Sequence, residues 1–383
     1  MTTTGTDIQA AALRRPLAPG SQNWHQFPIS AGVPAFFASS RGPCVYEVGG
    51  RELIDLYCGS GAVILGHGAP DQVAAVRAAL DSGASVSLRH PAESRLAEHL
   101  VELCPGARYA AFFKTGSEAV HAAITAAVRA TGRRAVLTTT YHGWLLPLGD
   151  LRDMSGFQVR PLDWMSPTLV ADVAATAEQA ACIVVSPTTE LPAPEQVRAV
   201  VQTARAAGAA VVFDEVKAGF RFAYPTTSAM LGIEPDLTAV SKAIGNGFPI
   251  AALLGDGLLA SPDTFSVYST YASETVSIVA SLACLQALAE GAYEAFAASS
   301  TALYEALRAL GAGYGVGVRG VPTFFRLELP PGVDPDQLCR GLYERGVLYH
   351  PFDQVIVGAA HGPDIVDRVC VAMEETLDRL CDE

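Results

Sequence analysis

Lys114-Thr115-Gly116-Ser117-Glu118 directly follows the apolar run YAAFF and opens a stretch of helical pattern. Small residues there let a backbone come close to an anion. First-turn N–H groups lack partners within a helix, and two hydroxyls add donors. The same residues fit an ordinary N-cap, because Ser and Thr are preferred at that position. Asp214-Glu215 ends the apolar run AAVVF. Carboxylates at the carboxyl end of a strand are placed to meet a ligand, and they also serve as loop or capping acids. Ser241-Lys242 follows DLTAV and precedes AIGNGFP. A lysine among apolar residues is costly unless its charge is compensated or its pKa lowered. A partly desolvated amine is also what imine chemistry needs. An exposed turn lysine is the plainer alternative.

Lysine is scarce in this chain. Of 26 basic residues only Lys114, Lys217 and Lys242 are lysines, so any side-chain amine nucleophile is one of three. An anion seat, a strand-end acid and a downstream loop lysine, in that order, suit pyridoxal 5'-phosphate. The seat holds the phosphate, the acid keeps the pyridine nitrogen protonated, and the lysine holds the aldehyde as an imine. Other chemistries lack their signatures. The sequence has no Walker loop, no GxSxG elbow and no HExxH motif. Its histidines show no metal-ligand spacing, so no metal is expected. Gly315-Val316-Gly317-Val318-Arg319-Gly320 spells GxGxxG, but it follows a helical pattern and precedes a strand. That is the reverse of the dinucleotide order, and the segment reads as a helix stop and turn.

These residues need elements to position them, and the apolar pattern supplies them. YAAFF, RAVLTT, ACIVVS, AAVVFDE, DLTAVS and IAALLG are short apolar runs. The first five are separated by SEAVHAAITAAVRATG, LVADVAATAEQ, PEQVRAVVQTARAAG and irregular chain. Short buried strands alternating with amphipathic helices predict a parallel sheet covered on both faces, with ligands at the carboxyl ends of its strands. Two further helices, DQVAAVRAALDSG and SRLAEHLVELCPG, precede this region, and helices resume from Thr275 to about Leu310. CVYEVGGRELIDLYC reads as two strands around Gly49-Gly50, and the tail as a strand and two helices of a smaller α+β domain. The first forty residues read as an irregular arm, with Trp24, Phe27, Phe36 and Phe37 available to pack. The expected divisions are 1–50 for the arm and part of the small domain, 51–285 for the large cofactor-binding domain, and 286–383 for the C-terminal small domain.

Composition sets the outer limits. Half of the 383 residues are hydrophobic and 17% are charged, enough for a large buried core. A net charge of −13 argues against a nucleic-acid footprint. No leader or membrane span is expected, because the N-terminal segment lacks a long apolar run and the stretch Val276–Ala289 is too short. Eight scattered cysteines without a CxxC pair suit a reduced, cytoplasmic protein.

At this level of detail the chain resembles the class III aminotransferases of pyridoxal-phosphate fold type I, nearest the glutamate-1-semialdehyde aminomutase-like branch. The resemblance rests on GRELIDLYCGSGAVILGHGAP, KTGSEA, YHGW, FDEVKAGFR, GIEPDLTAVSKAIGNGFPIAAL, RGVLYHPF and AAHGP, and runs from roughly residue 34 to 380. It implies an α/β fold: a large domain with a mostly parallel sheet covered by helices, plus a smaller α+β domain. It implies an internal aldimine on Lys242, which later shuttles the proton, and Asp214 against the pyridinium. Thr115, Gly116 and Ser117 are to hold the phosphate. Tyr141, with His142 beside it, is to lie on one ring face and Val216 on the other. Glu215 is to hydrogen-bond on the ring's hydroxyl side. Ser269 and Thr270 are to reach the phosphate of a neighbouring subunit, which makes a homodimer with shared active sites the active unit. The substrate is a small molecule.

Several positions depart from the family pattern. Ser186-Pro187 stands where Glu-Pro is usual, and Glu274-Thr275 where Asn-Pro is common. VLYHPFDQVIVGAAH and the arm SQNWHQFPIS offer no arginine to fork a substrate carboxylate. The expected reaction is transamination between an amine and a carbonyl compound, in specialised biosynthesis. The alternative is another outcome on the same cofactor: epimerisation or aminomutation, decarboxylation, elimination–replacement or carbon–carbon bond formation.

Overall fold

The computed structural model describes residues 36–84, 87–145, 156–187 and 189–382. The expectations for Trp24 and Phe27 lie outside them. The chain divides into two compact units, one formed by 71–286 and the other by 1–70 together with 287–383. Residues 51–70, expected with the large domain, group instead with the smaller unit. There β3 (Glu52–Asp55) pairs with β2 (Cys44–Glu47) on one side and, in parallel, with β13 (Val347–Leu348) on the other. β1 (Phe37–Arg41) adds an antiparallel edge to this sheet, in a region expected to be irregular.

In the larger unit, seven strands among the described residues form one sheet: β4 (Tyr109–Phe113), β10 (Ala251–Gly255), β9 (Leu237–Val240), β8 (Ala210–Glu215), β7 (Ala180–Val185), β5 (Ala135–Thr138) and β6 (Gln158–Pro161), in that spatial order. β10 runs antiparallel to both its neighbours, while the pairs from β9 to β6 are parallel. The reason is local. No crossover helix separates β9 from β10, so the chain turns straight back on itself. The Lys242 segment is that turn.

The faces of this sheet are sorted by alternation. α3 (Gly116–Thr131) packs Ala119, Ala123, Ile124 and Ala127 with Val136, Val184, Val212 and Ala239. α4 (Leu169–Thr176) and α5 (Pro194–Ala206) pack Leu169, Val173, Val197 and Val200 with Leu137, Ile183, Val211 and Phe213. Even-numbered residues of β8 therefore face α3 and odd-numbered ones face α5. Two helices lead into this unit's sheet, α1 (Pro70–Ser82) and α2 (Pro91–Leu103). A short α6 (Thr227–Leu231) follows β8. α7 (Thr275–Ala287) ends the unit, with Ile278, Ala280, Cys284 and Leu285 buried.

The smaller unit continues with α8 (Tyr293–Gly311), α9 (Pro335–Glu344) and α10 (Pro363–Asp382). The continuous helical run Thr275–Gly311 is long and apolar enough, by length and composition, to cross a membrane. Its apolar residues nevertheless include buried core side chains, among them Ile278 and Cys284 in one unit and Phe296, Leu303 and Leu307 in the other. The GxGxxG segment turns at Gly315 (φ 68°) as expected, but Gly317–Val321 is a strand, β11, paired antiparallel with β12 (Phe324–Glu328).

One segment of the smaller unit winds in the unusual hand. Cys58, Gly59, Ser60 and Gly61 have φ of 47°, 61°, 57° and 85°, a single left-handed turn after β3. Asp55 holds its entry. Oδ1 accepts from the N–H groups of Tyr57 and Cys58, each at 2.9 Å, and Oδ2 lies 2.8 Å from His67 Nε2. His361 closes the group. Its Nδ1 accepts from Gly358 N–H at 3.0 Å and its Nε2 donates to the Asp55 carbonyl at 3.1 Å. With both ring nitrogens engaged and the ring buried, burial holds the His361 pKa down at about 4.

Candidate active site

The start of α3 is a full capping box. Thr115 accepts from Glu118 N–H at 3.3 Å, and the Glu118 carboxylate accepts from Thr115 N–H at 2.8 Å. The hydroxyl of Thr115 also donates to Glu118 at 2.9 Å, so this side chain serves the helix itself. The N–H groups of Gly116 and Ser117 remain as first-turn donors without an acceptor in the helix. Gly116 is tight against Val216: a Cβ there would collide with both Val216 methyls. Gly143 (φ 93°) is equally tight against the Ser117 side chain. The two contacts bring the end of β8 and the segment after β5 against the helix start.

Asp214 lies on the α3 face of the sheet. Its Oδ2 is 2.8 Å from His142 Nδ1, and its Oδ1 accepts from Val216 N–H at 3.0 Å. Nδ1 carries the proton of this bond, because a carboxylate only accepts. The opposite nitrogen, His142 Nε2, is buried and has no partner among the described residues. Tyr141, beside it, is 55% exposed, and its phenol pKa is pushed up by burial and then by the Asp214 charge.

Glu215 departs from expectation. It is odd-numbered on β8 and faces away from α3, and its carboxylate accepts from Thr227 Oγ1 and Ser228 N–H, each at 3.1 Å. Strand alternation thus separates it from Asp214, and it does not join the group on the α3 face. Complete burial raises its carboxyl to about 7, against the pull of the Ser228 and Thr227 hydrogen bonds.

Lys242 follows β9, half-buried, with φ 48°. A non-glycine residue in this region costs roughly 1–3 kcal/mol and persists only where its surroundings impose it. Ser241, before it, is extended and anchors the turn by donating its hydroxyl to the Ile250 carbonyl at 2.8 Å. The other sequence-selected lysine near the helix start is engaged elsewhere: Lys114 Nζ pairs with Glu274 Oε2 at 3.1 Å. Glu274, one of the departures from the family pattern, also accepts from Val276 N–H at 2.5 Å and Ser277 N–H at 3.2 Å and so caps α7. Ser186, another departure, is buried and puts no carboxylate at the end of β7. Its N–H donates to Thr139 Oγ1 at 3.1 Å.

Ser269 and Thr270 line a cavity of about 470 Å³ with Ser87, Arg89, Phe113 and Tyr268, a lining that includes neither Asp214 nor Lys242. The His142–Asp214 and Lys114–Glu274 pairs were not read from sequence. Their partners lie 72 and 160 residues apart and meet only in the folded chain.

This architecture is that of a fold type I pyridoxal-phosphate enzyme. The chain belongs to the class III aminotransferase family: the family described as Aminotransferase class-III matches residues 29–147 and 169–361. A 2'-deamino-2'-hydroxyneamine transaminase of Streptomyces kanamyceticus is 30% identical over 357 residues, covering 89% of this chain and 91% of the relative. A glutamate-1-semialdehyde 2,1-aminomutase of Desulforudis audaxviator is 29% identical over 395 residues, covering 91% of each. The solved structure of the FumI protein of Sphingopyxis sp. MTA144, in a pyridoxal-phosphate form, superposes with a TM-score of 0.89 at 24% identity, over 99% of this chain and 97% of that one.

The residues present fit the cofactor. Donors stand at the start of α3, and Asp214 retains lone pairs beyond its two bonds. The histidine on the same carboxylate has a buried nitrogen, Nε2, with no partner among the described residues.

Proposed function

We propose that Lys242 is the amine that carries the cofactor and moves the proton in transamination of a small amine and a carbonyl compound. The observation that carries this is the strained lysine at the end of β9, on a turn the fold imposes. When bound, pyridoxal phosphate supplies an aldehyde and an electron-accepting ring. Gly116 and Ser117 offer N–H groups to its phosphate, and the dipole of α3 favours the negative charge. Asp214 holds the proton on the pyridine nitrogen, and His142 fixes the orientation of that carboxylate. Val216 and Tyr141 would be the residues that enclose the cofactor's ring. Lys242 Nζ would be the group that holds and returns the migrating proton. Borohydride reduction of the loaded protein followed by peptide mapping should place the pyridoxyl group on Lys242. An adduct on Lys114 or Lys217, or no bound cofactor, overturns the assignment.

The substrate side follows from what the site lacks. Ser186 supplies no acid to pair with a switching arginine, and the tail sequence offers no arginine to fork a carboxylate. Both features favour an amine whose recognition does not depend on a carboxylate, in specialised biosynthesis. They also support the second reading, a different outcome on the same cofactor. Incubation with amine and no acceptor separates the two: release of one carbonyl per site marks transamination, and continued turnover marks the alternative.

Assembly as a homodimer with shared sites belongs to the same proposal. Its support is the cavity beside edge strand β4, where Leu88 and Tyr268 are 81% and 93% exposed. Mixing inactive Lys242→Ala with an inactive bulky replacement of Thr270 should restore activity, since an isologous dimer then has one intact site. If no activity returns, Thr270 serves its own subunit or no site at all.

A further inference from the structure

The turn that carries Lys242 is braced from a distant helix. Lys242 (φ 48°) and Asn246 (φ 44°) both lie in the left-handed region, and the chain between them forms the tight turn Lys242–Gly245. Neither residue is glycine, so each backbone relaxes away unless its surroundings prevent it. Bonds within the turn are long: Ile244 N–H reaches the Ser241 carbonyl at 3.3 Å, and Asn246 N–H the Ala243 carbonyl at 3.2 Å.

Gln72, in the first turn of α1, supplies shorter ones. Its side-chain amide donates to the Gly245 carbonyl at 2.9 Å and to the Ala280 carbonyl of α7 at 3.0 Å. Its Oε1 accepts from Asn246 Nδ2 at 2.9 Å. Gln72 is 2% exposed and Asn246 5%, so water does not replace these bonds if the turn moves. A buried amide with both donors and its acceptor engaged resists displacement, because losing these bonds strands its own buried amide, while the Gly245 carbonyl keeps only the Phe248 N–H at 3.1 Å.

We propose that Gln72 is a positioning residue for Lys242: through Gly245 and Asn246 it ties the far end of the lysine turn to α7 and so fixes the direction in which Nζ is presented. The proposal rests on reading Lys242 as the cofactor-bearing amine.

Gln72→Met keeps the length of the side chain and removes its three bonds. In the cofactor-free protein, amide exchange across 242–248 should rise by about tenfold or more, with α3 and β8 unchanged. In the loaded protein, kcat should fall by about tenfold while KM for the amine stays within about twofold. Asn246→Gly suits the backbone at that position and cuts the same brace from the other side. It carries the same test if Gln72→Met does not fold. The double variant should lose no more than the worse single one, because both remove one shared interaction. Exchange at 242–248 unchanged, or raised equally over the whole chain, overturns the proposal. Failure of the wild type to form a borohydride adduct at Lys242 defeats the functional reading instead, and the exchange result still decides whether the brace exists.

Discussion

Asp214 in the larger unit and Asp55 in the smaller one make nearly the same first contacts. Each sits at the end of a strand. In each, Oδ1 accepts from the backbone just downstream, and Oδ2 lies 2.8 Å from a histidine ring nitrogen. The difference is where the network stops. Around Asp55 and its partner His67 a second histidine adds to it: His361 accepts from Gly358 N–H through Nδ1 and donates to the Asp55 carbonyl through Nε2, so both of its ring nitrogens are engaged. Around Asp214 it stays open, with His142 Nε2 buried and unpartnered among the described residues. The Asp–His pair is therefore a way of stiffening a strand end in both units. It marks a site only where buried polar atoms are left for a ligand to satisfy.

The sharpest way to break this comparison is to make the same change in both units. Asp214→Asn keeps the shape and removes the charge on the ring nitrogen's proton. Turnover should fall by about 10³-fold, the scale of a lost electrostatic stabiliser. Asp55→Asn should lower the melting temperature while leaving turnover of the folded protein within about twofold. Equal losses of turnover in the two variants would mean that the closed network is as catalytic as the open one.

A smaller effect separates the units by pH. His361 is neutral when folded, with its pKa near 4 against an ordinary 6.5. Between those values the unfolded chain binds a proton that the folded one refuses. Its contribution is thus complete above pH 6.5 and lost as the pH falls toward 4, nominally by about 3 kcal/mol. Glu215 has the opposite sign. Its folded pKa of about 7 exceeds the ordinary 4.5, so its contribution is complete below pH 4.5 and is lost as the pH rises through 7. Unit-resolved hydrogen exchange between pH 4.5 and 6.5 should show the smaller unit gaining protection as pH rises and the β8 region losing it. His361→Gln and Glu215→Gln should each flatten one slope and leave the other. Parallel slopes in both units would sink the assignment.

Much of this was legible in the residues. Continuous apolar runs gave β7, β8 and β9, and Gly132 marked the end of α3, because burial on both faces and left-handed caps leave strong signals. The three chemistry-bearing groups were found by type and by the scarcity of lysine. What sequence left hidden depends on pairing. Glu215 looked like a second site acid until alternation along β8 turned it to the α5 face. Gln72 looked like an ordinary helix residue, since its partners lie 173 and 208 residues further on. β1 and β6 are short edge strands whose apolar pattern is too weak to announce them, and β11 was masked by its glycines.

The turn from Cys58 to Gly61 has a consequence for how this chain can vary. It is one turn of helix in the mirror hand, and in that hand the usual ranking of residues is inverted. Alanine, the best residue for α1, is among the poorer ones here, while glycine and asparagine are at ease. A saturation library across these positions should read as the negative image of one across an ordinary helix, and a D-amino acid introduced at Ser60 by chemical ligation should settle where its L-counterpart is strained. What these positions tolerate is set by chirality together with the burial of Cys58 against Val63 and Ile356.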